Sequence, residues 1–157
     1  MPRRRVWIVV TDGARVRHFR AWYDPDGGHV IRPVREEVYD PARRKGEELL
    51  ADRPGRTQNR SHDMGRHAME PDTDPKRVEK ERFARHVAED LREAFVAGEF
   101  NELALVAAPK TLGDLRAALD DRLRGLVKVE VAKDLTTLSD TELEAELRPL
   151  IWPQLAE

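Results

Sequence analysis

The chain contains no cysteine, which excludes disulfide bonds, zinc sites built on thiolates and a cysteine nucleophile. Long hydrophobic runs are also missing, because no stretch approaches the ~20 apolar residues of a membrane span. The first hydrophobic run follows the basic N-terminal residues and ends at Thr11 after about five residues, whereas a signal-peptide core needs roughly 7–15. These absences predict a cytoplasmic location without membrane insertion.

An excess of charge of one sign is missing as well. The 28 basic residues are balanced by 30 acidic ones, and the formal net charge is −2. General attraction to nucleic acid is therefore excluded, and binding to a polyanion would require a local basic patch. With 157 residues, of which 39% are hydrophobic and 37% charged, the composition predicts a single domain over 1–157 with a modest core.

The hydrophobic pattern indicates a mixed β-sheet. The run at 6–10 (VWIVV) is typical of a central strand buried on both faces, and a turn at 11–14 makes the next segment its hairpin partner. Pro33 cannot donate to a ladder and therefore favours an edge position for its strand. Alternation of valine with charged residues at 127–131 predicts a strand with one exposed face. Five segments are predicted to be strands: 6–10, 15–22, 29–39, 103–107 and 127–131.

Three helices are predicted between and after these strands. The main one starts at Asp74 and Pro75, a suitable N-cap and first helical residue, and stops at Gly98. A leucine stripe predicts a second helix over 111–124, stopped by Gly125. Ser139 and Glu142 predict a capping box for the third, which Pro149 would end. The resulting order β-β-β-α-β-α-β-α predicts an α/β sandwich like that of ribonuclease-H-like folds.

The segment at about 52–75 interrupts this pattern with a long polar loop. Between 53 and 67 the one sizeable apolar side chain is Met64, and Asp63 is the one acid among four arginines and two histidines. Loops longer than about 12–15 residues are uncommon in compact domains and are usually functional or disordered. The sequence therefore places the candidate binding site here, although a solvated surface loop explains the same composition.

Arginines of this loop can contact phosphates, and its histidines and glutamine can hydrogen-bond to bases or other polar ligands. The predicted RNA- or ligand-binding residues are Arg53, Arg56, Gln58, Arg60, His62, Arg66 and His67.

Enzymatic alternatives find little support in the residues. A two-metal nuclease needs several carboxylates that converge on the metal ions. Asp12 after the first strand and Glu79 or Glu81 could supply some of them, but the fourth strand ends without an acid. Asp12 is more simply a hairpin-turn residue. The adjacent Ser61, His62 and Asp63 do not form a triad, which requires spatial geometry rather than adjacency. None of the usual zinc spacings or phosphate-binding glycine loops occurs. No catalytic residue, metal ligand or cofactor is predicted.

Three stretches carry a resemblance to a known family: 50–56 (LADRPGR), 65–75 (GRHAMEPDTDP) and 81–84 (ERFA). Together they resemble the bacterial host attachment protein family, whose members are described as required for attachment to host cells. The resemblance extends over nearly the whole chain, from the strand at 6–9 to the segment 133–138 (KDLTTL).

That family is in turn similar to the middle domain of archaeal and eukaryotic peptide-chain release factors, which hydrolyses peptidyl-tRNA. There a long loop carries a Gly-Gly-Gln tripeptide and the following helix contains Arg-Phe-Ala-Arg. Arg82, Phe83, Ala84 and Arg85 match the helix motif. The tripeptide is absent, and the nearest approach to it is 55–58 (GRTQ). The resemblance implies a release-factor-like scaffold with a changed loop.

These observations together favour a non-enzymatic, cytoplasmic domain that binds RNA or the ribosome through the basic loop at 53–67. Two alternatives remain open. One is a hydrolase, either an esterase acting on peptidyl-tRNA or a metal-dependent nuclease. The other is a protein-interaction module with an indirect role in attachment to host cells. The sequence does not determine the oligomeric state.

Overall fold

A computed structural model describes residues 3–39 and 74–156. The segment 40–73, which contains all seven predicted ligand-binding residues, lies outside the described residues. Five strands are present: β1 (Arg5–Thr11), β2 (Arg15–Asp24), β3 (Gly28–Val38), β4 (Glu102–Val106) and β5 (Val127–Val131). The described helices are α1 (Pro75–Val96), α2 (Pro109–Ala118), α3 (Asp121–Leu126) and α4 (Asp140–Ile151), followed by a 3₁₀ turn at Pro153–Leu155.

The sheet is mixed, with the strand order β3-β2-β1-β4-β5. β1 pairs antiparallel with β2 and parallel with β4, so the predicted central position of the first strand is confirmed. β3 is an edge strand, as Pro33 indicated. β5 is the opposite edge strand and pairs parallel with β4. The α/β class and the mixed sheet are thus as predicted.

Each face of the sheet is covered by a separate apolar layer. On one face, α1 and α2 pack their buried side chains, among them Phe83, Leu91 and Leu115, against Trp7 and Val9 of β1. On the other face, α4 covers Ile8 and its neighbours. β1 is buried on both sides, which explains its continuous apolar run.

The predicted helix over 111–124 is wrong in one respect, because the chain forms two helices there. Leu119 is extended at the end of α2 (ψ 142°), and Asp120 caps α3 by accepting a hydrogen bond from the backbone N–H of Leu123. Leu119 and Leu123 are both buried. The leucine stripe therefore predicts burial correctly, but it does not indicate that the helix is interrupted at Leu119 and Asp120. Gly125, the predicted stop, lies inside α3.

Pro149 does not end the last helix, which continues to Ile151. Proline lacks the N–H that would donate to the preceding turn, yet Leu147 and Ile151 are both fully buried on the same side of α4. Burial of a leucine or isoleucine side chain contributes about 1.5–3 kcal/mol. Core packing therefore extends the helix past the proline.

The predicted capping box of α4 is confirmed. Ser139 Oγ accepts a hydrogen bond from the Glu142 backbone N–H at 3.1 Å, and Glu142 Oε1 accepts one from the Ser139 N–H at 3.0 Å. None of the helices in 3–39 and 74–156 combines the length and apolar character required to cross a bilayer.

Replacing Ser139 with alanine is expected to lower the free energy of unfolding by about 1 kcal/mol, because the first turn of α4 loses its side-chain acceptor. Urea unfolding followed by circular dichroism measures the change. Glycine at the same position should cost only a few tenths of a kcal/mol. Equal losses for the two variants would contradict the capping role.

Candidate functional site

The sheet edge at which β1, β4 and β5 end gathers several features from distant parts of the sequence. We call it the carboxyl edge and define it by Thr11, Val106 and Val131, the last residues of these parallel strands. The β1–β2 turn and the first residues of α1 and α2 lie here. Crevices at the carboxyl ends of strands are common ligand sites in α/β proteins.

The β1–β2 turn explains the acid that follows the first strand. Asp12 Oδ1 accepts hydrogen bonds from the backbone N–H groups of Ala14 (2.8 Å) and Arg15 (2.7 Å). Gly13 has φ +93°, a conformation that suits glycine. An added Cβ at Gly13 would lie 3.5 Å from the side chains of Lys80 and Thr111. Asp12 is thus a turn-capping residue, as its hairpin interpretation predicted.

Tyr39, the last described residue before the segment 40–73, is attached to α1. Its hydroxyl donates to Glu79 Oε2 at 2.8 Å, and its ring lies 5.1 Å from the ring of Phe83. Its backbone N–H donates to the Ala14 carbonyl at 2.6 Å. Asp74, the first described residue after the segment, caps α1 by accepting from the Lys76 N–H. Both flanks of 40–73 therefore join the body at the carboxyl edge.

Three lysines in the first turns of α1 and α2 at this edge have no carboxylate partner among the described residues: Lys76, Lys80 and Lys110. Their arginine neighbours differ, since Arg77 forms an ion pair with Asp114 and Arg82 with Glu79. All three lysines are exposed. The edge thus carries free cationic charge where the basic segment joins it.

The backbone adds positive potential in the same place. α2 starts after Ala108 without a side-chain cap, and the N-terminus of a helix carries about half a positive charge from its aligned peptide dipoles. The N-terminus of α1 points to the same edge but is capped by Asp74.

The carboxylates needed for a two-metal nuclease do not converge at this edge. Within 3–39 and 74–156, the one group of three potential metal ligands is Glu37, His86 and Asp90. It includes neither Asp12 nor the glutamates of the first turns of α1. The nuclease alternative gains nothing from the geometry of the described residues.

The Arg-Phe-Ala-Arg sequence of α1 divides into two structural and two surface residues. Phe83 and Ala84 are buried in the core, at 1% and 7% exposure. Arg82 forms a 3.6 Å ion pair with Glu79, and Arg85 is exposed. The two apolar residues of the motif therefore hold α1 on the sheet.

A buried histidine of β2 has no counterpart in the sequence predictions. His18 is fully buried, and its Nδ1 accepts a hydrogen bond from Trp7 Nε1 at 2.9 Å. Its Nε2 has no partner among the described residues. Burial, assisted by the charges of Arg35 and His86, lowers the pKa of His18 to about 4. His18 is therefore neutral at physiological pH.

The seven residues predicted to bind a ligand all lie in 40–73, so the structure neither gathers nor separates them. The lysines of the carboxyl edge were missed by sequence reasoning. Lys76 and Lys80 are four residues apart on a predicted helix, a spacing that places them on one face. Nothing in the sequence indicates that Lys110, in the first turn of α2, lies at the same edge of the sheet.

Comparisons with known proteins agree with the resemblance. The family model "Protein required for attachment to host cells" matches residues 7–147. The uncharacterized protein RP470 of Rickettsia prowazekii (strain Madrid E) is 38% identical over 69 residues, which are 43% of this chain and 46% of that protein. The chain thus aligns with less than half of that relative.

Among solved structures, the archaeal translation termination factor aRF1 is similar, with a TM-score of 0.45 and 9% identity over 96% of this chain and 39% of that chain. The family match covers most of the sequence, from β1 to the last turns of α4. The chain therefore belongs to the family of proteins required for attachment to host cells.

Proposed function

We propose that this protein binds structured RNA, including RNA on the ribosome, through the basic segment 53–67 and the lysines of the carboxyl edge. The observation that carries the proposal is the coincidence of these two basic elements. The segment's flanks join the body at the edge that carries Lys76, Lys80 and Lys110, and these three lysines have no carboxylate partner among the described residues.

Charge explains why a protein with a net charge of −2 can bind a polyanion. Most arginines of the described body are neutralised locally, as in the pairs of Arg77, Arg92 and Arg116 with carboxylates. Positive potential is therefore concentrated where cations lack such partners. Phosphate contacts dominate nucleic-acid affinity and release counterions on binding.

Specificity would come from the polar side chains of the segment. Gln58, His62 and His67 can donate to and accept from base edges, which are accessible in RNA loops and bulges. The role in attachment to host cells is then indirect and proceeds through RNA inside the bacterium.

The test is binding of the purified protein to ribosomal particles and to a labelled RNA hairpin over 50–300 mM salt. Wild-type affinity is expected to fall steeply with salt. A variant combining Arg53→Gln, Arg56→Gln and Arg66→Gln should lower the slope of log K against log salt by about 0.7–0.9 for each phosphate contact removed. A variant combining Lys76→Gln, Lys80→Gln and Lys110→Gln should act in the same direction.

A matched control removes three exposed charges elsewhere, through Arg3→Gln, Arg32→Gln and Lys128→Gln. This control should leave the affinity within about twofold of wild type, because phosphate contacts act locally. If the control loses as much RNA affinity as the arginine and lysine variants, binding depends on the net charge of the protein and not on the proposed surface. Unchanged binding in both the arginine variant of the segment and the lysine variant of the carboxyl edge would exclude the site.

The same preparations discriminate between RNA binding and the alternatives. A protein-interaction module would retain its partners in a pull-down after ribonuclease treatment. A hydrolase would release the amino acid from a model aminoacyl ester, or cleave RNA, above background. RNA binding predicts neither result.

A further inference from the structure

A groove between β3 and α1 brings three metal-ligating side chains together. His86 Nε2 lies 2.9 and 3.1 Å from the two carboxylate oxygens of Glu37 and 3.5 Å from Asp90 Oδ2. One ligand atom from each of the three residues lies within 4.8 Å of the other two. The groove also includes Arg35 and Glu36 in its lining.

Rigid elements supply all three side chains. Glu37 lies near the end of β3, and its backbone pairs with Val16 of β2. His86 and Asp90 are one turn apart on α1, which places them on the same side of the helix. The imidazole ring of His86 stacks on Phe83, with 6.1 Å between centroids and 23° between planes. The positions of the ligands are therefore fixed by the sheet and the main helix.

The distances suit a small divalent cation. Ligand bonds of about 2.0–2.2 Å place neighbouring ligand atoms about 2.8–3.6 Å apart in octahedral or tetrahedral sites. The separations from His86 Nε2 to both carboxylates, 2.9–3.5 Å, lie within this range. The ligand atoms of Glu37 and Asp90 lie within 4.8 Å of each other, so adjustment of the two carboxylate side chains brings the three ligands around one ion.

The donor set selects the class of metal. One imidazole and two carboxylates favour zinc and related transition-metal ions, since Ca²⁺ and Mg²⁺ prefer oxygen ligands alone. Two carboxylates also balance the charge of a divalent ion. Three protein ligands leave at least one coordination position open to water or another ligand.

Arg35 supplies a positive charge at the same position. Its Nη2 lies 3.3 Å from Asp90 Oδ2, and its side chain is 48% exposed. A guanidinium group held at a surface can turn into water when a stronger cation arrives. Arg35 is therefore a competitor of the metal.

We propose that Glu37, His86 and Asp90 form a binding site for a divalent transition-metal ion, with Zn²⁺ as the best match. The ion would connect the edge strand β3 directly to α1. Binding to the folded state alone stabilises it by mass action. This site is separate from the proposed RNA-binding surface and does not depend on it.

Isothermal titration of the metal-free full-length protein with Zn²⁺ and Mn²⁺ tests the site, together with the shift of Tm on adding each metal. We expect one equivalent of Zn²⁺ to bind and raise Tm. His86→Gln and Asp90→Asn should each weaken binding at least tenfold. Arg35→Gln should strengthen it severalfold, because the competing charge is removed.

Two controls make the result specific. Glu89→Gln changes an exposed carboxylate on the same helix, which pairs with Arg92, and should leave Zn²⁺ affinity unchanged. The double variant His62→Asn and His67→Asn removes the histidines of the segment 53–67 and should also retain binding. Absence of Zn²⁺ binding in the wild type, or loss of binding in this double variant with retention in His86→Gln, would overturn the proposal.

Absorption of the Co²⁺-substituted protein gives a second readout if a variant folds poorly. Visible bands from one bound Co²⁺ in the wild type, insensitive to Glu89→Gln and shifted or lost in His86→Gln, support coordination by the imidazole. Bands identical in wild type and a folded His86→Gln variant would contradict it.

Discussion

Replacing Phe83 with alanine is expected to lower the free energy of unfolding by about 3–5 kcal/mol, the usual cost of removing a buried phenyl ring. Phe83 is 1% exposed and belongs to the layer that holds α1 on the sheet. Its ring also contacts Tyr39 and His86. One substitution therefore opens a cavity and removes support from both flanks of the segment 40–73.

Chemical denaturation at pH 7 measures this loss. Arg85→Ala is the matched control, because it shortens an exposed side chain of the same helix and should change stability by no more than about 0.5 kcal/mol. Phe83→Leu should recover a large part of the loss by filling the cavity. A loss below about 1 kcal/mol for Phe83→Ala would contradict the assigned packing of α1.

Acidification is expected to destabilise the protein through His18, by about 3 kcal/mol between pH 6.5 and about 4. Burial lowers the pKa of His18 to about 4 in the folded state from an ordinary 6.5. Between pH 6.5 and about 4, His18 is protonated in the unfolded chain but largely unprotonated in the folded chain, so the free energy of unfolding falls as the pH falls. The contribution is fully present above pH 6.5 and is lost at pH 4 and below.

The groups around His18 also disfavour its protonated form in the folded protein. Arg35, paired with His18 across β2 and β3, and His86 of α1 both disfavour a second positive charge. Trp7 Nε1 donates to Nδ1, which must remain unprotonated to accept the bond. Protonation of His18 would therefore both bury a charge and break this hydrogen bond.

The measurement compares urea unfolding of wild type and His18→Gln from pH 4 to 7.5. Glutamine does not titrate, so the difference between the two proteins isolates His18 from the carboxylates that protonate in the same range. We expect this difference to change by about 3 kcal/mol across the window. A difference that is constant with pH would show that His18 is protonated equally in both states.

Local sequence signals determined much of the fold. Pro33 assigned β3 to an edge because it cannot complete a ladder. Asp74 and Gly98 marked the ends of α1, and Ser139 with Glu142 marked the start of α4. Each of these signals acts between residues no more than a few positions apart, so the sequence alone exposes it.

Helix continuity was less predictable, because packing competes with local preference. A leucine stripe has the same spacing whether it lies on one helix or on two, and the break at Leu119 and Asp120 leaves it intact. Pro149 is a helix terminator by local chemistry, yet burial of Ile151 keeps it inside α4. These outcomes depend on contacts with the sheet.

The candidate sites divide in the same way. Composition alone identified the segment 53–67 as basic and poor in apolar residues, because charge and hydrophobicity are properties of single residues. The ligand contacts of this segment remain predictions. Only the tertiary structure brought the side chains of Lys80 and Thr111 to the same turn at Gly13, and Glu37 within 2.9 Å of His86 across 49 positions of sequence. The sheet decides such contacts, since pairing and packing set distances that no sequence spacing encodes.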